Sequence, residues 1–186
     1  MAEPPVRPDF ASRLRAVTQA RIALGRAGQG LPTSALLDFQ LAHARARDAV
    51  GARFDTGGFS AAIGRRAVTE VASRATDHTT YLQRPDLGRR LAEADAAKLV
   101  ATGDEVAFIV GEGLSATAVA AHAAPLLLAL LDRLPNWRIA PIVLARHARV
   151  ALGDEIGALL GVDLAVMLIG ERPGLSAPDK IGRAHV

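Results

Sequence analysis

Leu164-Ala165-Val166-Met167-Leu168-Ile169 runs directly into Gly170-Glu171-Arg172-Pro173-Gly174-Leu175. An uninterrupted apolar run of this length reads as a strand covered on both faces, as in a parallel sheet. Such strands deliver the chain to the carboxyl edge of the sheet, where α/β proteins bind their ligands. Here that edge carries an acid, an arginine, a rigid proline and a glycine. Glu171 and Arg172 are costly to bury unpaired, so they meet each other, solvent, a partner or a ligand. A solvated turn after a strand is the plainer alternative.

The same grammar extends upstream. Val106 to Val110 reads as a buried strand, followed by the turn Gly111-Glu112-Gly113-Leu114-Ser115. Ser115 can cap a helix over Ala116 to Leu134. Pro135-Asn136 turns the chain into a second strand, Ile139 to Leu144, whose first half Pro141 weakens. A short helix, Asp154 to Leu160, ends at Gly161 and leads into the strand Leu164 to Ile169. Strand–helix alternation predicts a parallel sheet with right-handed crossovers, and hence a Rossmann-like domain over residues 103–179.

Before residue 103 the chain reads as helices separated by glycine. They are expected over Phe10 to Leu24, Ser34 to Val50 with Thr33 as cap, Ser60 to Ser73, and Asp86 to Val100. The fold class is therefore α/β, with an N-terminal helical region over 1–102 followed by a Rossmann-like sheet that looks incomplete at its C-terminus.

Composition narrows the function classes. The chain has 186 residues, 50% of them hydrophobic, and no cysteine. A disulfide framework and a thiolate metal site are thereby excluded. No apolar run of membrane-spanning length is present, because His122 and Pro125 interrupt the nearest approach, Ala116 to Leu131. The opening Met1-Ala2-Glu3-Pro4-Pro5 has no secretory pattern, so the cytoplasm is the expected compartment. Residues 1–100 carry 15 Arg and Lys against 10 Asp and Glu, whereas residues 101–186 carry 7 against 9. A net charge of +3, without basic clusters interleaved with aromatics, argues against nucleic acid as partner. Arginine outnumbers lysine 20 to 2, which suits hydrogen-bonded protein interfaces and would equally follow from a GC-rich genome.

No self-sufficient catalytic site is legible. Gly111-Glu112-Gly113-Leu114-Ser115-Ala116 sits where a phosphate loop would, but Ala116 takes the third glycine position and Glu112 would repel a phosphate. The second strand ends in Leu144-Ala145-Arg146, with no acid to hold a ribose. His43, His78, His122, His147 and His185 lack metal-ligand spacing, and packed or satisfied histidines are expected at His43 and His122. Ser115 does not complete a nucleophile elbow, since Thr117 replaces the second glycine. Asp154-Glu155 could pair as acid and base, but as neighbours at a helix start they complement its dipole. No catalytic or metal-binding residue is expected.

Several blocks in order carry a family resemblance. They are Ala20-Arg21-Ile22 with Gly25-Arg26-Ala27-Gly28, then Pro32-Thr33 with Leu36-Leu37 and Phe39, then His43 with Ala46-Arg47-Asp48-Ala49-Val50. Tyr81-Leu82 with Arg84-Pro85-Asp86-Leu87-Gly88-Arg89-Arg90-Leu91 follows, then Gly113-Leu114-Ser115. The last are Arg146 to Gly157 and the Glu171 segment. Together, over roughly residues 10 to 179, the chain resembles the small (light) subunit of adenosylcobalamin-dependent ethanolamine ammonia-lyase. The resemblance implies a carbon–nitrogen lyase that converts ethanolamine to acetaldehyde and ammonia. In it this subunit would be the non-catalytic partner of a large subunit, with the cobalt-containing cofactor adenosylcobalamin clasped between the two. It implies cofactor contacts at Val150 and Glu171, and a cytoplasmic complex, free or inside a bacterial microcompartment. Glu112 departs from the family's usual aspartate before Gly-Leu-Ser. A free-standing Rossmann-like nucleotide-binding protein is the alternative, and a purely structural helical adaptor a third reading.

The resemblance stops at Asp179, where the family pattern continues with more sheet and a cysteine that contacts the cofactor. Lys180-Ile181-Gly182-Arg183-Ala184-His185-Val186 leaves that pattern. One codon choice for these residues reproduces the start of a common sequencing adapter. Residues 180–186 are therefore expected to be a non-native tail on a truncated subunit, unpacked after Pro178. A genuine divergent terminus is the alternative.

Overall fold

The computed structural model describes residues 10–177 and 179–185. Along the chain run α1 (Phe10–Val17), α2 (Thr33–Gly51), α3 (Thr56–Ala62), β1 (Val68–Ala72) and α4 (His78–Gln83). A 3₁₀ turn at Leu87–Arg89 and the short α5 (Glu93–Ala96) follow, then β2 (Val106–Gly111), α6 (Ala116–Leu131) and β3 (Ile142–Arg146). The chain continues through α7 (Leu152–Leu160), β4 (Leu164–Gly170) and β5 (Ile181–His185). The strands lie in the order β1-β3-β2-β4-β5, with β1, β3, β2 and β4 parallel and β5 antiparallel at one edge.

Every residue of β2 is buried, and its alternating side chains feed two cores. Ala107 and Ile109 join Val143, Met167 and the α7 residues Leu152, Ile156 and Leu160. Phe108 and Val110 join Leu168, the α6 residues Val119, Ala123 and Leu127, and Phe59 and Ile63 at α3. Helices thus cover both faces, which is why β2 and β4 read as continuous apolar runs. Each large side chain so buried contributes about 1.5–3 kcal/mol.

The connection from β2 steps to its neighbour β3, and the next returns across β2 to β4. The carboxyl ends of β2 and β4 therefore flank the point where the winding reverses, the ligand crevice of open α/β sheets.

The expected strands at 106–110 and 164–169 are present. The second is displaced to Ile142–Arg146, because Pro141 cannot donate to the ladder. The helix expected over Ser60 to Ser73 ends early, and Val68–Ala72 is the edge strand β1. Gly64, at φ +76°, breaks the helix, and the β-branched Val68, Thr69 and Val71 suit a strand. The helix expected over Asp86 to Val100 is likewise interrupted. Arg74 N–H donates to Arg90 O at 2.8 Å and Ala92 N–H to Ala72 O at 3.0 Å, so residues 90–92 pair with the end of β1 instead of continuing a helix. The helix from Phe10 stops at Val17 rather than Leu24. Thr33 is the first helical residue and not the cap; Pro32 precedes it without a side-chain cap bond.

The unpacked tail is overturned as well. Residues 181–185 pair with β4, from Gly170 opposite Ile181 to Val166 opposite His185, and Ile181 packs partly buried against the core. An edge strand presents unpaired N–H and C=O groups that accept any extended segment, so pairing asks little of the tail's side chains. Pro178 and Val186 lie outside the described residues.

Candidate functional site

The carboxyl ends of β2 and β4 approach until only glycine fits. A Cβ on Gly113, at φ +59°, would collide with the carbonyl of Gly170, and one on Gly170 with the carbonyls of Ser115 and Glu112. The approach is closed by Leu114 N–H donating to Gly170 O at 2.9 Å. Ser115, fully buried, accepts Ala118 N–H at 3.1 Å and caps α6. These bonds occupy backbone donors that a phosphate would need, and they leave the Gly111–Ser115 turn a strand-to-helix junction.

Beside this junction lies a cavity of about 450 Å³ lined by Gly113, Leu114, Ile169, Gly170, Glu171 and Arg172 from the two strand ends. Tyr81, Arg149 and Val150 border it from the β3 side, and Gly182, Arg183 and Ala184 from β5. Both candidate residues, Val150 and Glu171, thus face one space although 21 positions separate them. Val150 is 42% exposed. Glu171 is held by its N–H donating to Lys180 O at 3.0 Å, and its carboxylate lies over the bare backbone of Gly182.

The loop that carries Val150 is braced from several sides. Ser73 Oγ donates to His147 O at 2.7 Å, Tyr81 Oη to Ala148 O at 3.1 Å, and Arg149 N–H to Gly88 O at 2.8 Å. Glu112 Oε1 accepts His147 N–H at 2.6 Å. His147 Nδ1 lies 3.1 Å from Ala75 O and must donate to it, since a carbonyl only accepts. Burial pushes the Tyr81 hydroxyl up to about 12, so it remains a protonated donor to Ala148. Tyr81, His78 and His147 form a ring cluster, with centroids about 6 Å apart. Sequence spacing could not reveal these residues, because the sheet topology alone brings 78–81 to 147–149.

Other candidates take structural roles. Glu155 accepts Leu91 N–H and pairs with Arg90 at 2.8 Å, bracing α7 against the segment that follows the 3₁₀ turn Leu87–Arg89. Burial pulls its carboxyl up, but the Leu91 N–H and the Arg90 guanidinium outweigh that and hold it below the usual carboxylate range. It is a strut, not half of an acid–base pair. His43 is exposed beside Phe39, and His122 is exposed with Asp179 at 3.6 Å. Of the expectation that these histidines are packed or satisfied, burial is absent at both, and His122 is instead satisfied by Asp179. Among the described residues no group of three or more His, Cys, Asp or Glu could hold a metal ion, and no helix is long and apolar enough to cross a membrane.

A doubly covered parallel sheet with a cavity at its switch point defines an α/β protein of the Rossmann-like class. The family model of the ethanolamine ammonia-lyase light chain (EutC) matches residues 8–183. The chain is 52% identical over 180 residues to the ethanolamine ammonia-lyase small subunit of Azotobacter vinelandii, covering 91% of this chain and 67% of that protein. It is 49% identical to the small subunit of Pseudomonas fluorescens, with 98% and 70% covered, and 50% identical to that of Xanthomonas campestris, with 94% and 68% covered. The chain belongs to the ethanolamine ammonia-lyase small-subunit family, and it spans about two thirds of the length of these relatives.

Proposed function

We propose that the chain clasps adenosylcobalamin against a large subunit of ethanolamine ammonia-lyase, as the partner that supplies no catalytic group. What supports the reading is one cavity at the sheet's switch point bordered by both Val150 and Glu171. Its chemistry fits a broad macrocycle fringed with amides. Leu114, Val150, Ile169 and Ala184 offer apolar surface, glycine backbone lets a flat ligand approach, and the Glu171 carboxylate accepts from amide N–H groups. A cavity of about 450 Å³ holds only part of a corrin, which agrees with a cofactor shared between two subunits.

The radical chemistry that eliminates ammonia from ethanolamine comes from the cofactor when it is bound. This chain's share is to bind and orient: Val150 supplies an apolar contact, Glu171 an acceptor, and the braced β3–α7 loop fixes the distance between them. Exposed apolar side chains on α2, Leu36, Leu37, Phe39 and Leu41, offer the surface on which the large subunit packs. The reading includes a cytoplasmic complex, free or in a microcompartment, without nucleic acid. Reconstitution with a large subunit tests it: the complex should keep corrin absorbance through gel filtration in the presence of both chains. A large subunit that retains the corrin equally well alone would overturn the clasping role.

A further inference from the structure

The cavity contains another polar side chain that is better fixed than Glu171. Arg149 precedes Val150, and its guanidinium carbon lies 4.3 Å from the centroid of the Tyr81 ring. Nη2 donates to Tyr81 O at 3.1 Å, and the backbone N–H is held by Gly88. Gly88 is itself fitted to this arrangement: a Cβ there would stand 2.9 Å from Arg149 Cγ and 3.1 Å from Tyr81 Cδ2. Arg149 Nε is buried without a hydrogen-bond partner among the described residues. Arg172 and Arg183 also border the cavity but are exposed, with no ring beneath them.

A half-buried guanidinium stacked on a buried tyrosine, with a donor left over, is a poor structural brace and a good binding group. We infer that Arg149 is a cofactor-contacting residue, donating to amide carbonyls at the corrin rim while Glu171 accepts from amide N–H groups. Tyr81 and Gly88 are its positioning residues. The inference rests on the clasping role proposed above and deepens it. An amide presents both a donor and an acceptor, so a carboxylate and a ring-stacked guanidinium lining one cavity read both halves. The stack also gives the Arg84-Pro85-Asp86-Leu87-Gly88-Arg89 turn a purpose: its glycine seats the arginine.

The test uses the complex with a large subunit and cyanocobalamin as probe, with equilibrium dialysis read at the corrin's visible absorbance. R149M should weaken retention about tenfold or more, as loss of a charge-assisted hydrogen bond does. Y81F keeps the ring under the guanidinium but drops the hydroxyl bond to Ala148 O, so it should lose clearly less corrin affinity than Y81L, which should lose as much as R149M does. A purely structural Tyr81 would not divide the two in corrin affinity once both assemble. Parent-like affinity in assembled R149M, with affinity lost in E171A, overturns the role of Arg149 and leaves the clasping role standing. Parent-like affinity in both variants overturns the two together. Should R149M fail to assemble, R149K decides: it keeps the charge and stem but not the planar fork, so a severalfold loss is expected and parent-like affinity overturns the inference.

Discussion

Glu112 Oε1 accepts the backbone N–H of His147 at 2.6 Å, tying the end of β2 to the residue that follows β3. His147 sits at φ +52°, a left-handed conformation that histidine adopts only at some cost. The carboxylate also lies 3.5 Å from His147 Nε2. One side chain therefore holds the strained residue at the root of the Val150 loop.

E112A should accordingly destabilise the chain by about 1–3 kcal/mol, because it leaves the partly buried His147 N–H without an acceptor. E112Q retains a carbonyl oxygen there and should lose much less. Urea unfolding of the two variants measures the difference. Equal losses would mean that the charge facing the imidazole, and not the bond to the main chain, is what matters.

E171A should leave folding untouched, since the side chain is exposed, and should weaken corrin binding by the reconstituted complex by about 1–3 kcal/mol. Dialysis against cyanocobalamin with a parallel thermal melt checks both halves. Full affinity with an unchanged melt would remove Glu171 from the site.

G170A should be far more harmful than its size suggests. The added methyl meets the carbonyls of Ser115 and Glu112, so β2 and β4 must separate at their carboxyl ends. Overpacking of this kind costs about 1–3 kcal/mol, and the melting temperature should fall. The neighbouring cavity would deform as well, so corrin affinity should fall with it.

What the sequence made legible follows from how local each signal is. β2, β4, α6 and α7 were readable because continuous apolar runs, the Ser115 cap and Gly161 act within a few residues. β1 was missed because Val68–Ala72 is half-exposed at the sheet edge and follows a helix broken only by Gly64. The segment after Arg89 was misread because its partner, the end of β1, was itself unrecognised. Residues 181–185 carry no apolar periodicity that would announce packing, whereas an open strand edge recruits backbone. Val150 follows from family resemblance alone, whereas Glu171 is also marked by its place at the carboxyl edge of an apolar strand. Arg149 lies 68 positions from Tyr81, and only the folded sheet brings them together.

Acid should loosen the chain through Glu155. Its folded pKa lies below the ordinary 4.5, so its bonds to Leu91 and Arg90 stabilise above that value, and the contribution is lost as pH falls through the folded pKa. E155Q should thus be less stable than the parent at pH 7, and the gap should narrow as pH falls below the ordinary 4.5 toward the lower folded pKa. Unfolding curves at pH 7 and pH 3.5 test this; a gap independent of pH would assign the strut to packing.

The surface proposed for the large subunit gives the last test. Leu37 is 58% exposed and Leu41 50%, and on a 19-residue helix they stand one turn apart on the same face. Water gains nothing from leucines in that position, so replacing them should cost the isolated chain almost nothing. L37D/L41D should therefore melt like the parent but fail to co-sediment with a large subunit, because two carboxylates would have to be buried in an apolar contact. The arginines interspersed on this half of the chain raise the competing reading of a nucleic-acid surface. The same variant resolves it: added acids should abolish any DNA shift, yet a DNA shift of the parent should already vanish at about 0.2 M salt. If the parent holds DNA at that salt and L37D/L41D still assembles with the large subunit, α2 faces nucleic acid and the subunit contact lies elsewhere.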